Sequence, residues 1–96
     1  MYQIDCRKIN SYADFIEAFN KALIEPFGGK WNGNLDAFND YLSWPGPTPY
    51  HLIILGTDRC EEVLNYKANE RHENELWHIL KEILQENSEF VAVEFK

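Results

Sequence analysis

The run Tyr50-His51-Leu52-Ile53-Ile54-Leu55, closed by Gly56, constrains this chain more than any other segment. A stretch this apolar, with so little alternation, fits a β-strand covered on both faces. Two further segments read as strands: Tyr2-Gln3-Ile4-Asp5-Cys6 near the start and Phe90-Val91-Ala92-Val93-Glu94-Phe95 near the end. The connections between them are long and carry helical patterns, so the strands pair in parallel through right-handed crossovers. The expected fold class is α/β: a three-stranded parallel sheet packed by helices, in βααβααβ order. Ninety-six residues suffice for one core, and the expectation is a single domain over 1–96.

The helices are readable from spacing and caps. Ser11 and Asp14 form a capping box, and Tyr12, Phe15, Ile16, Phe19, Ala22 and Leu23 repeat at helical intervals. Pro26 is expected to end this helix, and Phe27 to Gly33 to form a loop. Leu35, Phe38 and Leu42 give a short second helix an apolar side. Pro45, Pro47 and Pro49 then hold the chain extended. Asp58 with Glu61 reads as a second capping box, ahead of Val63 and Leu64. Leu76, Leu80, Ile83 and Leu84 line a final helix, widened by Trp77 and Ile79 and broken at Asn87-Ser88. Residues 65–74 show no decided pattern. Tyr50, Tyr66 and Trp77 are core candidates.

Composition narrows the function classes. Hydrophobic residues make up 45% and aromatics 15%, which excludes a disordered chain. The net charge of −7 disfavours direct binding to nucleic acid or to an anionic membrane, both polyanions. It suits a basic protein partner, whose encounter the field accelerates. No run approaches the roughly 20 apolar residues of a membrane span. Met1 to Asn10 carries no apolar leader core, so the expected compartment is the cytoplasm. Cys6 and Cys60 are then expected to be reduced, serving as small buried hydrophobes.

The segment Trp31-Asn32-Gly33-Asn34-Leu35-Asp36-Ala37-Phe38-Asn39-Asp40-Tyr41-Leu42 bears most directly on function. Asp36 and Asp40, four residues apart, fall one turn above the other on the side opposite Leu35, Phe38 and Leu42, with Asn39 beside them. Like charges at that spacing cost a helix roughly 0.2–0.5 kcal/mol. The nearest basic residues in sequence are Lys30 and Arg59. An acidic face of this kind, flanked by Trp31 and Trp44, is suited to meet something positive.

Asn34-Leu35-Asp36-Ala37-Phe38, followed by Asp40 and Leu42, resembles the signature of the barstar family of intracellular ribonuclease inhibitors. The resemblance implies a βααβααβ fold. It also implies that this helix enters a ribonuclease active site, where an acidic side chain, here Asp40, takes the place of a substrate phosphate. Where the family often has Trp, this chain has Asn39. Glu82 on the last helix falls near an acidic position that some members use against the partner.

Each of these residues also has a structural reading. Asn34 serves as a helix cap, a partner contact, or both; Asp36 favours the helix N-terminus as well as an interface. Trp31 and Trp44 divide between core packing and aromatic contact, and Glu82 between solvated surface and contact. His72, Glu75 and His78 recur at spacing three, a pattern met far more often on exposed surface than in a metal site. The expected function is inhibition of a basic ribonuclease by a monomer, without catalysis, metal or cofactor. One alternative is a binding module on the same fold for a different basic toxin or regulatory partner. The other is an enzyme using Asp36 and Asp40 as an acid/base pair, which needs a cleft that shifts one of the two.

Overall fold

The computed structural model describes residues 1–67 and 74–96. Strand β1 (Tyr2–Asp5) is followed by a tight turn at Cys6–Lys8, helix α1 (Tyr12–Phe19) and helix α2 (Leu35–Tyr41). Strand β2 (Tyr50–Leu55), helices α3 (Thr57–Val63) and α4 (Leu76–Glu86), and strand β3 (Val91–Phe95) complete the chain. The three strands form a parallel sheet in the order β1-β2-β3, with four helices, as the sequence predicts. In register, Ile4 pairs with Ile54 and Ile54 with Phe95.

Burial along β2 alternates, which corrects the expectation of a strand covered on both faces. Leu52 and Ile54 are wholly buried, whereas His51 is exposed and Ile53 and Leu55 are half-buried. Ile53 stands in register between Gln3 and Glu94, both exposed, and His51 beside exposed Ala92. The apolar run therefore feeds one deep face, and the neighbouring strands bring polar residues to the other. Phe15, Phe19, Leu23, Phe38, Leu42, Leu64, Trp77, Leu80 and Leu84 build the core with Ile4, Leu52 and Ile54. Tyr50 and Trp77 are buried as expected, but Tyr66 is exposed.

Three local expectations are also corrected. The first helix does not stop at Pro26: beyond α1 it widens into a π-type turn at Asn20–Ile24 and tightens at Glu25–Phe27, with Pro26 inside that last turn. Pro is tolerated there because its missing N–H falls at the start of the turn. Asp58 and Glu61 do not box the start of α3; Gly56 occupies the cap position at φ 65°, and Asp58 lies in the first turn. Only glycine suits that spot, since a Cβ would stand 2.7 Å from Arg7 Cγ. Ser11 accepts from the Asp14 N–H as expected, but Asp14 accepts from Asn10 N–H at 2.9 Å.

The cysteines are the largest correction. Cys6 and Cys60, wholly buried, form a disulfide across a sequence separation of 54. Parallel pairing explains it. Asp5 sits opposite Leu55, so the segments leaving β1 and β2 emerge side by side, and the two Cα atoms lie 5.4 Å apart. That is within bridging reach. Gly46-Pro47 and Thr48-Pro49 are cis peptide bonds in the connection before β2.

Candidate functional site

Helix α2 is seven residues long and would not persist alone, because nucleating so short a helix costs more than its few hydrogen bonds return. Side chains fasten it at both ends. Asn34 caps it: Oδ1 accepts from the N–H groups of Asp36 at 2.8 Å and Ala37 at 3.3 Å. Such a cap contributes about 1 kcal/mol. At the far end Tyr50 donates its hydroxyl to the Leu42 carbonyl at 2.7 Å. Phe38 and Leu42 are wholly buried and Leu35 half-buried, which leaves Asp36, Asn39 and Asp40 on the exposed face.

The approach to α2 is held just as firmly. Trp31 is wholly buried, which corrects its candidacy as a partner contact: no part of its ring reaches the surface. The ring stacks on Phe38 with centroids 4.6 Å apart and meets Phe19 edge-on at 5.3 Å. Its indole N–H donates to the Asn34 carbonyl at 2.8 Å. The loop holds the indole inside because Asn20 grips the Trp31 backbone, accepting from its N–H and donating to its carbonyl, both at 2.7 Å. Tyr12 adds a hydroxyl bond to the Gly33 carbonyl at 2.7 Å.

On the surface, Trp44 is 42% exposed and stacks at a tilt on Tyr41, centroids 5.1 Å apart. Its ring lies over Gly29 so closely that a Cβ there would overlap it. Tyr41 donates its hydroxyl to the Lys30 carbonyl at 3.1 Å. Asn39 accepts from the Asn87 side-chain amide at 2.7 Å, joining α2 to the end of α4. The Asp40 carboxylate takes no ion pair or hydrogen bond among the described residues. Glu82 is exposed on α4, its carboxylate 3.7 Å from His78 Nε2.

Asn34, Asp36, Asn39 and Asp40 thus share one helix, Trp44 follows it directly, and Glu82 stands on the helix packed against it. Sequence reasoning missed Asn20, Tyr41 and Asn87. A polar residue in an apolar helical stripe was the available sign for Asn20; nothing local marks Asn87 as a partner of Asn39. Among the described residues no group of three or more His, Cys, Asp or Glu is placed to hold a metal ion. His72 lies outside those residues, and with it the spacing-three pattern. No helix among the described residues is long and apolar enough to cross a membrane.

An acidic, exposed helix on a βααβααβ frame is the arrangement the motif implied. A family model described as Barstar (barnase inhibitor) matches residues 1–96. The chain belongs to the barstar family. No curated protein matches it closely enough to count as a relative. The quoted motif spans Asn34 to Leu42, whereas the barstar match spans the whole chain, so the strands and the long helices carry the likeness as well. Barstar-family proteins are inhibitors rather than enzymes, and their described target is a ribonuclease.

Proposed function

We propose that the chain acts as one domain over 1–96, an intracellular inhibitor or immunity protein that binds a basic ribonuclease and occludes its active site. The observation that carries this reading is Asp40: an exposed carboxylate on a helix anchored on its opposite side by wholly buried Phe38 and Leu42, in a chain of the barstar family. A carboxylate held rigidly can accept a fork of charge-assisted hydrogen bonds from Arg and Lys groups that otherwise grip phosphate. Asp40 is the phosphate mimic. Asn34, Asp36, Asn39, Trp44 and Glu82 form the surrounding contact face, and Trp31 supports it from beneath. The mechanism is steric occlusion with electrostatic mimicry, and it involves no bond making, metal or cofactor.

The net charge of −7 favours the encounter with a basic protein and opposes competition by RNA for the same surface. The buried disulfide is compatible with an intracellular site, because both sulfurs are out of reach of small thiols while the fold is closed. The alternative partner is a different basic toxin or a regulatory protein. Asn39 favours it, since a small amide committed to Asn87 stands where an aromatic anchor would otherwise supply binding energy.

Titration of the protein into a basic, barnase-like ribonuclease while RNA cleavage is followed tests the proposal. Stoichiometric inhibition that collapses in Asp40→Ala is the expected result. No inhibition by the folded wild-type protein would reject the ribonuclease and favour the alternative.

A further inference from the structure

Among the described residues, Asn20 is the one buried polar side chain in the core, 2% exposed. It lies on the helical stripe that runs Phe15, Phe19, Leu23, and it opens the π-type turn Asn20–Ile24. A buried amide is costly unless its groups are paired. Here both are paired to one residue: the Trp31 N–H and the Trp31 carbonyl, each at 2.7 Å. Phe19 and Asn20, and then Leu23 and Ile24, are buried as adjacent pairs one turn apart, so Asn20 occupies a position on the inward face that an apolar residue would ordinarily fill.

The contacts run on from Trp31 to α2. Its indole N–H holds the Asn34 carbonyl at 2.8 Å, and the Asn34 side chain caps the helix through Asp36 and Ala37. Its ring stacks on Phe38, in the middle of α2. One side chain outside the acidic face therefore fixes the residue that fixes both the start and the underside of that face. A seven-residue helix has no stability of its own to hold a carboxylate in place. Ordering such a segment on binding would weaken the complex, and a segment already ordered avoids that cost.

We infer that Asn20 is a positioning residue for the acidic helix: acting through Trp31, it preorganises α2 so that Asp40 is presented in a fixed place. The inference rests on the inhibitor reading for its consequence in binding, but the ordering of α2 is measurable in the free protein. The affinity of the acidic face is thus set partly from the core, through a residue outside that face.

The test compares wild type with Asn20→Leu, which keeps the branched shape but neither donates nor accepts, and with Trp31→Phe, which keeps an aromatic ring but loses the indole N–H bond and part of the surface packed on Phe38. Amide hydrogen exchange is read residue by residue under conditions where each variant is folded, with β2 as the internal reference. The expected result is that Asp36 to Leu42 exchange at least tenfold faster in both variants, while Leu52 and Ile54 change far less. In parallel, Asn20→Leu should inhibit a barnase-like ribonuclease at least tenfold more weakly at equal folded fraction. If α2 and β2 accelerate by the same factor, Asn20 acts on global stability alone and the inference falls. If α2 loosens but inhibition is unchanged in a variant of a wild-type protein that does inhibit, the positioning role also falls. A wild-type protein that inhibits nothing, with α2 still loosened locally, would overturn the ribonuclease reading and leave the ordering role supported. Should Asn20→Leu fail to fold, Asn20→Ala, which removes both bonds to the Trp31 backbone without adding bulk, carries the same comparison.

Discussion

The Asn87 side-chain amide donates to Asn39 Oδ1 at 2.7 Å and to the Ile83 carbonyl at 2.8 Å, clasping the exposed face of α2 to the last turn of α4. The bond joins residues 48 apart in sequence. A double-mutant cycle over Asn39→Ala and Asn87→Ala should give a coupling at the lower end of about 0.5–1.5 kcal/mol, because the pair is partly open to water. Asn87→Ala alone should cost more than Asn39→Ala, since it also releases the Ile83 carbonyl. Urea unfolding of the four proteins measures both; strict additivity would show that the clasp contributes nothing.

Asp40→Ala should separate binding from stability. The side chain is exposed, so its removal should change unfolding free energy by less than about 0.5 kcal/mol. Binding to a basic ribonuclease should weaken by about 2–5 kcal/mol or more, a range for charged interface pairs whose measured examples include barnase with barstar itself. Association of the wild type should also slow steeply as salt rises. Thermal melts and inhibition titrations on the same samples check the contrast. An equal loss in both would mean that Asp40 is structural.

The Cys6–Cys60 bridge closes a loop with a sequence separation of 54, so its main effect should fall on the unfolded chain. Reduction should lower stability by roughly 2–4 kcal/mol. Urea unfolding with and without a thiol reductant reads the difference. A thiol reagent added to the denatured, unreduced protein should find no free cysteine. Two titratable thiols would contradict the bridge.

Alkaline pH should loosen the frame around α2. Burial first, with neighbouring Tyr66 second, pushes the Tyr12 hydroxyl up; burial, then Tyr2, does the same to Tyr50. Both donate to carbonyls at either end of α2, Gly33 and Leu42. The sign follows from proton counting. Above the ordinary tyrosine value near 10 the unfolded chain releases these protons while the folded chain retains them, so stability falls as pH rises. Unfolding midpoints measured from about pH 8 to 11 should drop in the wild type and drop less in Tyr12→Phe. Identical slopes would show that Tyr12 ionisation is not linked to folding.

Much of this was legible locally. Leu35, Phe38 and Leu42 share a side at 3.6 residues per turn, so the exposure of Asp36, Asn39 and Asp40 followed from spacing alone. Asn34 was legible as a cap because the residue type and its place before an apolar stripe suffice. Trp31 was not. Its burial depends on an amide from another helix, and nothing in a Gly-rich loop announces that grip. The exposed side of β2 was equally hidden, because the residues flanking Ile53 come from the far ends of the chain.

What the sequence determined by itself, then, was the kind and order of elements and the face each helix turns inward, since those depend on periods and caps within a few residues. The tertiary structure alone decided which elements meet: Cys6 with Cys60, Asn20 with Trp31, Asn39 with Asn87. The physical reason is distance along the chain. A helix or strand period is written into neighbouring side chains, whereas these pairings arise only when parallel register and core packing bring remote segments together.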